Sequence, residues 1–168
     1  MRSLPLIAIA ATAVLALTAC GKSAGERAAE AAIEASTGQK ADVDAKNGAV
    51  TIKTDKGEMK MTSGDTAALP ASFPKDVYLP EHYAVKSAME MPNAMVLEIE
   101  APGAVATLAA DASKRMQAQG WKQQMAMAQT GQSQVLVYEK EKRSATLSFN
   151  DNAGKGVTLG VQVATNQQ

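Results

Sequence analysis

From Val85 to Val163, apolar and polar residues alternate in a series of short runs, interrupted once by a run of helical spacing. Val85, Met89 and Met91 alternate with polar neighbours, Pro92-Asn93 turns, and Met95, Leu97 and Ile99 make the returning strand. Pro102-Gly103 then opens a helix to about Gln119. Its apolar face is Val105, Leu108, Ala109, Ala112 and Met116. Lys114 and Arg115 suit its negative end, and Gly120 suits its stop. Further period-two runs carry Trp121, Met125 and Met127 or their alternates, then Leu136 and Tyr138, then Ala145, Leu147 and Phe149, then Val157, Leu159, Val161 and Val163. Thr130-Gly131, the charged Glu139 to Arg143 corner and Asn152 to Gly156 supply the turns. The pattern predicts an α+β unit over residues 81–164 in the order β-β-α-β-β-β-β. It is an antiparallel sheet with one packed helix.

Upstream the patterning is weaker. Ser23 and Glu26 have capping-box spacing, an Ala-rich helix follows from Glu26 to Ser36, and Gly38 sits where it ends. Glu26, Glu30 and Glu34 share a face, and Ile33 is the one large apolar residue. A helix so short is marginal alone, so it reads as a tether or a lightly docked arm. Residues 41–63 predict a small β-meander. Asn47-Gly48 and Asp55-Lys56-Gly57 turn it, and Val50, Ile52, Met59 and Met61 alternate along it. Residues 64–80 form a connector with Pro70, Pro74 and Pro80. Its Leu69, Phe73, Val77, Tyr78 and Leu79 predict that it lies against a core. Residues 165–168 read as a frayed tail.

The N-terminal residues 1–19 have a different character. Met1-Arg2 is a short positive start, and Leu4 to Leu17 is an apolar stretch too short to span a bilayer comfortably. It runs into Leu17-Thr18-Ala19-Cys20. This segment resembles a lipobox, the recognition site of bacterial lipoprotein signal peptidases, with Leu17, Thr18 and Ala19 as the recognition residues. The resemblance implies cleavage before Cys20 and covalent lipid on its thiol. It makes residues 20–40 the lipidated N-terminus and its helix. Cys20 is also the sole cysteine. Acyl chains at both sulfur and amine anchor stably where a single chain does not. Gly21 stands where Asp usually means inner-membrane retention, so the resemblance favours the outer membrane, facing the periplasm.

Beyond the lipobox, the early Ala/Glu helix, the "ADVDAKNGAVTIKTDKGEM" and "LPASFPKDVYLPE" segments and the helix ending in Gly120-Trp121 resemble a set of small bacterial envelope lipoproteins. That resemblance carries no activity, so it assigns no catalytic residue.

Charge changes the picture by exclusion. Basic and acidic residues are 17 each, and loss of residues 1–19 removes Arg2 and no acid. No basic surplus exists to release counterions from nucleic acid. The chemistry of known sites is also missing. His82, between Glu81 and Tyr83, is the single histidine, and no G-x-S-x-G is present, so a Ser-His hydrolase and a zinc site are both unsupported. Asp42 and Asp44 begin like a calcium loop, but Lys46 and Lys53 stand at the fifth and twelfth, ligand, positions, and Asn47 stands at the sixth, where the loop needs glycine. Gly154-Lys155-Gly156 leads into a strand, not a helix, and reads as a hairpin turn instead of a phosphate cradle.

Methionine is the unusual feature. Met59 and Met61, Met89 and Met91, and Met125 and Met127 each place two thioethers on one strand face. Soft thioethers suit Cu(I), with Met59, Met61, Met125, Met127 and His82 as the candidate ligands and Trp121 available nearby. Met also fills cores, and the Val and Leu alternation of neighbouring strands predicts that role for these pairs. The leading expectation is therefore a membrane-anchored, non-enzymatic envelope module that binds a protein or envelope component, without a cofactor beyond its lipid. A Cu(I) binder, and a carrier of lipid in a groove between helix and sheet, are the alternatives.

Overall fold

Hairpins form where the chain supplies residues able to reverse it. The computed structural model describes residues 21–129 and 131–166. Helix α1 (Ala24–Thr37) is followed by β1 (Lys40–Asp44), β2 (Ala49–Thr54) and β3 (Gly57–Ser63). After the connector come β4 (Ala84–Met91), β5 (Ala94–Ala101), α2 (Val105–Ala118), β6 (Lys122–Gln129), β7 (Ser133–Lys140), β8 (Arg143–Asp151) and β9 (Val157–Thr165). Gly48, at φ 57°, turns β1 into β2; a Cβ there would lie 2.3 Å from the Ser63 carbonyl oxygen. Gly156, at φ 116°, is constrained the same way, 2.5 Å from the Ala101 oxygen. Only glycine tolerates both the left-handed backbone and the close approach.

The strands make one antiparallel sheet in the order β1-β2-β3-β4-β5-β9-β8-β7-β6. With two helices among the described residues, the class is α+β. The meander is not a separate unit: Lys60 to Ser63 of β3 pair with Ser87 to Glu90 of β4, so it extends the same sheet. Helix α2 carries the chain from β5 to the far edge, and β6, β7, β8 and β9 then return until β9 pairs with β5. The last strand of the described residues thereby sits inside the sheet, between β5 and β8. Thr165 belongs to it, donating its N–H to the Asn93 oxygen at 2.8 Å, so the tail expected to fray from 165 is ordered there. Residues 167–168 lie outside the described residues.

Register decides which side chains meet. Thr62, Ala88, Leu97, Val161, Leu147, Leu136 and Ala126 form one row on the helix side. Val43, Val50, Met61, Met89 and Val96 form a row on the opposite side. On the helix side Leu97, Ile99, Leu147, Phe149 and Leu159 are fully buried. Helix α2 presses Val105, Ala109, Ala112 and Met116 onto them, because spacings of four, three and four residues align these side chains in one stripe. Phe73, Val77 and Tyr78 of the connector complete this layer. Each large apolar side chain so buried contributes about 1.5–3 kcal/mol.

Trp121 is buried immediately after α2, and its N–H donates to the Met116 oxygen at 3.0 Å. As the single tryptophan it reports on this layer. Urea unfolding followed by its fluorescence should show Phe149→Ala losing about 3–5 kcal/mol. Met125→Ala, on an exposed strand, should change stability by under about 0.5 kcal/mol.

Candidate functional site

The two edges of the sheet differ in kind. At β1 the edge is covered by α1. Ser23 caps the helix in a full capping box with Glu26, and Gly38 closes it in the left-handed conformation. The acidic face then meets the strand. Glu26 Oε1 accepts from the Ala45 N–H at 2.9 Å, and Glu30 Oε1 accepts from the Val43 N–H at 2.8 Å. Four helical residues rise about 6 Å and two strand residues about 6.8 Å, so one spacing matches the other. Lys22 clamps the entry, pairing with Glu30 and, at 2.8 Å, with Asp42. These contacts hold both glutamates below the ordinary carboxylate range: Glu26 chiefly through the Ala45 amide, Glu30 chiefly through Lys22. No residue of α1 is fully buried, so polar contacts to the strand edge hold it in place.

At β6 the edge is open. All eight residues are exposed, Met125 at 49% and Met127 at 53%. The core role expected for this pair is therefore wrong. Met125 pairs with Val137 and Met127 with Val135 on the side away from α2, while Ala126 faces the helix side opposite Leu136. An edge strand has a neighbour on one flank only, so long side chains pointing away from the packed layer stay in water. A bulge between Gln123 and Met125 sits at the start of the strand.

The other candidates disperse. Met59 and Met61 lie on β3 and Met125 and Met127 on β6, six strand positions apart, or about 29 Å. His82 is exposed in the segment before β4. The proposed thioether and imidazole ligands thus do not converge. Met61 instead pairs with Met89 across β3 and β4, both half-buried beside Val50 and Val96. Among the described residues no three His, Cys, Asp or Glu side chains cluster as metal ligands. Asp44 accepts from Asn47 in the β1–β2 turn, and Asn152 and Gly156 hydrogen bond across the β8–β9 turn. Leu17, Thr18, Ala19 and Cys20 lie outside the described residues.

One ionic cluster was invisible in the sequence. Asp76 of the connector accepts both guanidinium nitrogens of Arg143, at 2.9 and 2.7 Å, and the Lys140 ammonium at 2.7 Å. Its own carbonyl accepts from Trp121 Nε1 at 2.8 Å, and Arg143 lies over the Trp121 ring at 4.9 Å. The cluster straps the connector to the β7–β8 hairpin. Beside it Arg115 lies over the Tyr78 ring at 5.1 Å. Burial and the neighbouring Asp111 push that phenol above its ordinary range. The hollow between α2 and the connector here holds about 120 Å³, small against the 300–1,000 Å³ of typical ligand sites.

Among known families, curated proteins and solved structures, none matches the chain.

Removing one edge contact should loosen α1 without unfolding the sheet. Glu30→Ala is expected to speed amide hydrogen exchange at Val43 and Ala45, with β8 and β9 unchanged. The strap gives a pH dependence. Arg143, then Lys140, holds the Asp76 carboxyl well below its usual range, so the unfolded chain takes up its proton first. The stability it supplies is complete above the unfolded value, about pH 3.9, and is lost as pH falls through that value towards the folded one. Asp76→Asn should cost about 2 kcal/mol at neutral pH and flatten the acid limb of a Trp121 fluorescence titration.

Proposed function

We propose that this chain is a lipid-anchored envelope protein, held through acylated Cys20 at the outer membrane facing the periplasm. In this reading it is a non-enzymatic binding module. Residues 81–164, in the order β-β-α-β-β-β-β, are the working unit, and the exposed edge of β6 is where it takes an extended segment of a protein partner. The observation that carries the reading is the opposite treatment of the two sheet edges. One has two amides, those of Val43 and of Ala45 just beyond β1, taken by Glu30 and Glu26; the other leaves eight exposed residues without such cover. An uncovered strand edge is a template for a further strand, with backbone hydrogen bonds supplying affinity and alternate side chains supplying selectivity.

The position of Gly21 and Lys22 supports the same assignment. Gly21 and Lys22 sit beside Asp42 to Lys46 at the β1 end of the sheet. A lipid on Cys20 therefore attaches at that end. Eight strand spacings separate it from β6, about 38 Å, which keeps the open edge clear of the anchor. Tethering also raises the local concentration of the edge for anything else in the envelope.

Two measurements test this. Cys20→Ser should move the protein from the membrane to the soluble fraction; unchanged fractionation would end the anchoring half. A photo-crosslinking residue at position 127 should trap a protein adduct in intact cells, whereas the same probe at Lys56, in the β2–β3 turn, should not. Equal trapping at both sites would remove the β6 edge from the account.

A further inference from the structure

Strand β6 is complementary to itself. Its sequence runs Lys122-Gln123-Gln124-Met125-Ala126-Met127-Ala128-Gln129. Two copies whose edge strands pair antiparallel in a closed dimer are related by a two-fold axis perpendicular to the sheet. Such an axis carries each sheet face onto itself, and paired residues share a face. One residue must therefore lie on the axis, opposite its own copy.

With Ala126 on the axis, Met125 of each copy meets Met127 of the other. The four exposed thioethers then gather on the outer face, backed by Val135 and Val137 of both copies. Ala126 meets Ala126 on the helix side, where a small residue keeps the approach open. Moving the axis to Met125 or Met127 sets methionines opposite glutamine, or leaves them beyond a matching apolar partner.

Charge selects the direction. Lys122 is the one charged residue on β6 and stands at its first position. Parallel pairing would set two lysines side by side, which is unfavourable. The antiparallel pair about Ala126 separates them by eight residue steps, about 27 Å. Closure follows from the other edge. A head-to-tail array would need β6 to pair with β1, but Glu26 and Glu30 already occupy the Ala45 and Val43 amides there. The association stops at two.

We infer that β6 pairs with β6 of a second copy, antiparallel and centred on Ala126, giving a two-fold dimer with one sheet running through both subunits. This rests on the proposed role of β6 as a strand acceptor and names the strand it accepts.

The test uses the full-length chain in its native membrane. Single substitutions Ala126→Cys and Gln129→Cys are compared under mild diamide oxidation on non-reducing gels, with the unsubstituted chain as the control for Cys20. Antiparallel partners lie within disulfide reach, so Ala126→Cys should shift to twice the chain's mass. Gln129→Cys should not, because its copy lies about 20 Å along the strand. Equal dimer from both, or none from Ala126→Cys, overturns the register. The photo-crosslinker at position 127 separates the two levels of the proposal. A homodimer adduct supports both. An adduct with a different protein supports strand acceptance and overturns self-pairing. No adduct overturns both. Met125→Lys with Met127→Lys should abolish the homodimer adduct from a probe at Gln124 while Trp121 fluorescence stays native; dimer that persists rejects the pairing.

Discussion

An open sheet has two flanks, and each carries a row of amides and carbonyls turned away from the strand beside it. Those groups are satisfied by water, by covering elements or by another strand. In this chain the β1 flank is dealt with internally, by two carboxylates spaced one helical turn apart on α1. The arrangement is compact in sequence terms: a capping box, Glu26 and Glu30 four residues apart, Lys22 at the entry and a left-handed Gly38. It also explains why a helix with no fully buried residue keeps its place. Everything inferred about β6 depends on this contrast between the flanks.

The elements that the sequence exposes most clearly are those governed by local rules. Helix α2 is legible because Val105, Ala109, Ala112 and Met116 repeat at helical spacing. The first hairpin is legible because Gly48 can take the left-handed backbone that closes its turn. Pairing across the sheet is not local. Period two marks a strand but does not name its neighbour, which is why the join of β3 to β4 did not follow from the pattern. It also does not say which face turns inward. On β6 the methionines look like the core face and the alanines like filler, yet Ala126 faces the helix side and the methionines face water. The acidic stripe of α1 was visible as a stripe; that backbone amides would meet it was not.

The strap around Asp76 belongs to the same lesson. Its partners Lys140 and Arg143 lie more than sixty positions away, and no spacing rule connects them. Only the fold brings a bidentate guanidinium and an ammonium to the Asp76 carboxylate and a buried indole to its backbone carbonyl. The cluster holds the connector over the helix-side layer, so Phe73, Val77 and Tyr78 remain on Leu97, Phe149 and Leu159 without regular secondary structure of their own. It ties the connector to the β7–β8 hairpin through ion pairs to one side chain.

The internal position of β9 has a consequence for the order in which the molecule is built. Every other strand can form before the segment from Val157 joins the sheet. Until then β5 and β8 each lack a neighbour, and Ile99 and Leu147 face an unfilled slot. Insertion of the final segment closes two ladders at once and joins stretches some sixty residues apart, a topology that favours slow, late consolidation over stepwise growth. The sheet therefore stays split into two halves until β9 docks between β5 and β8.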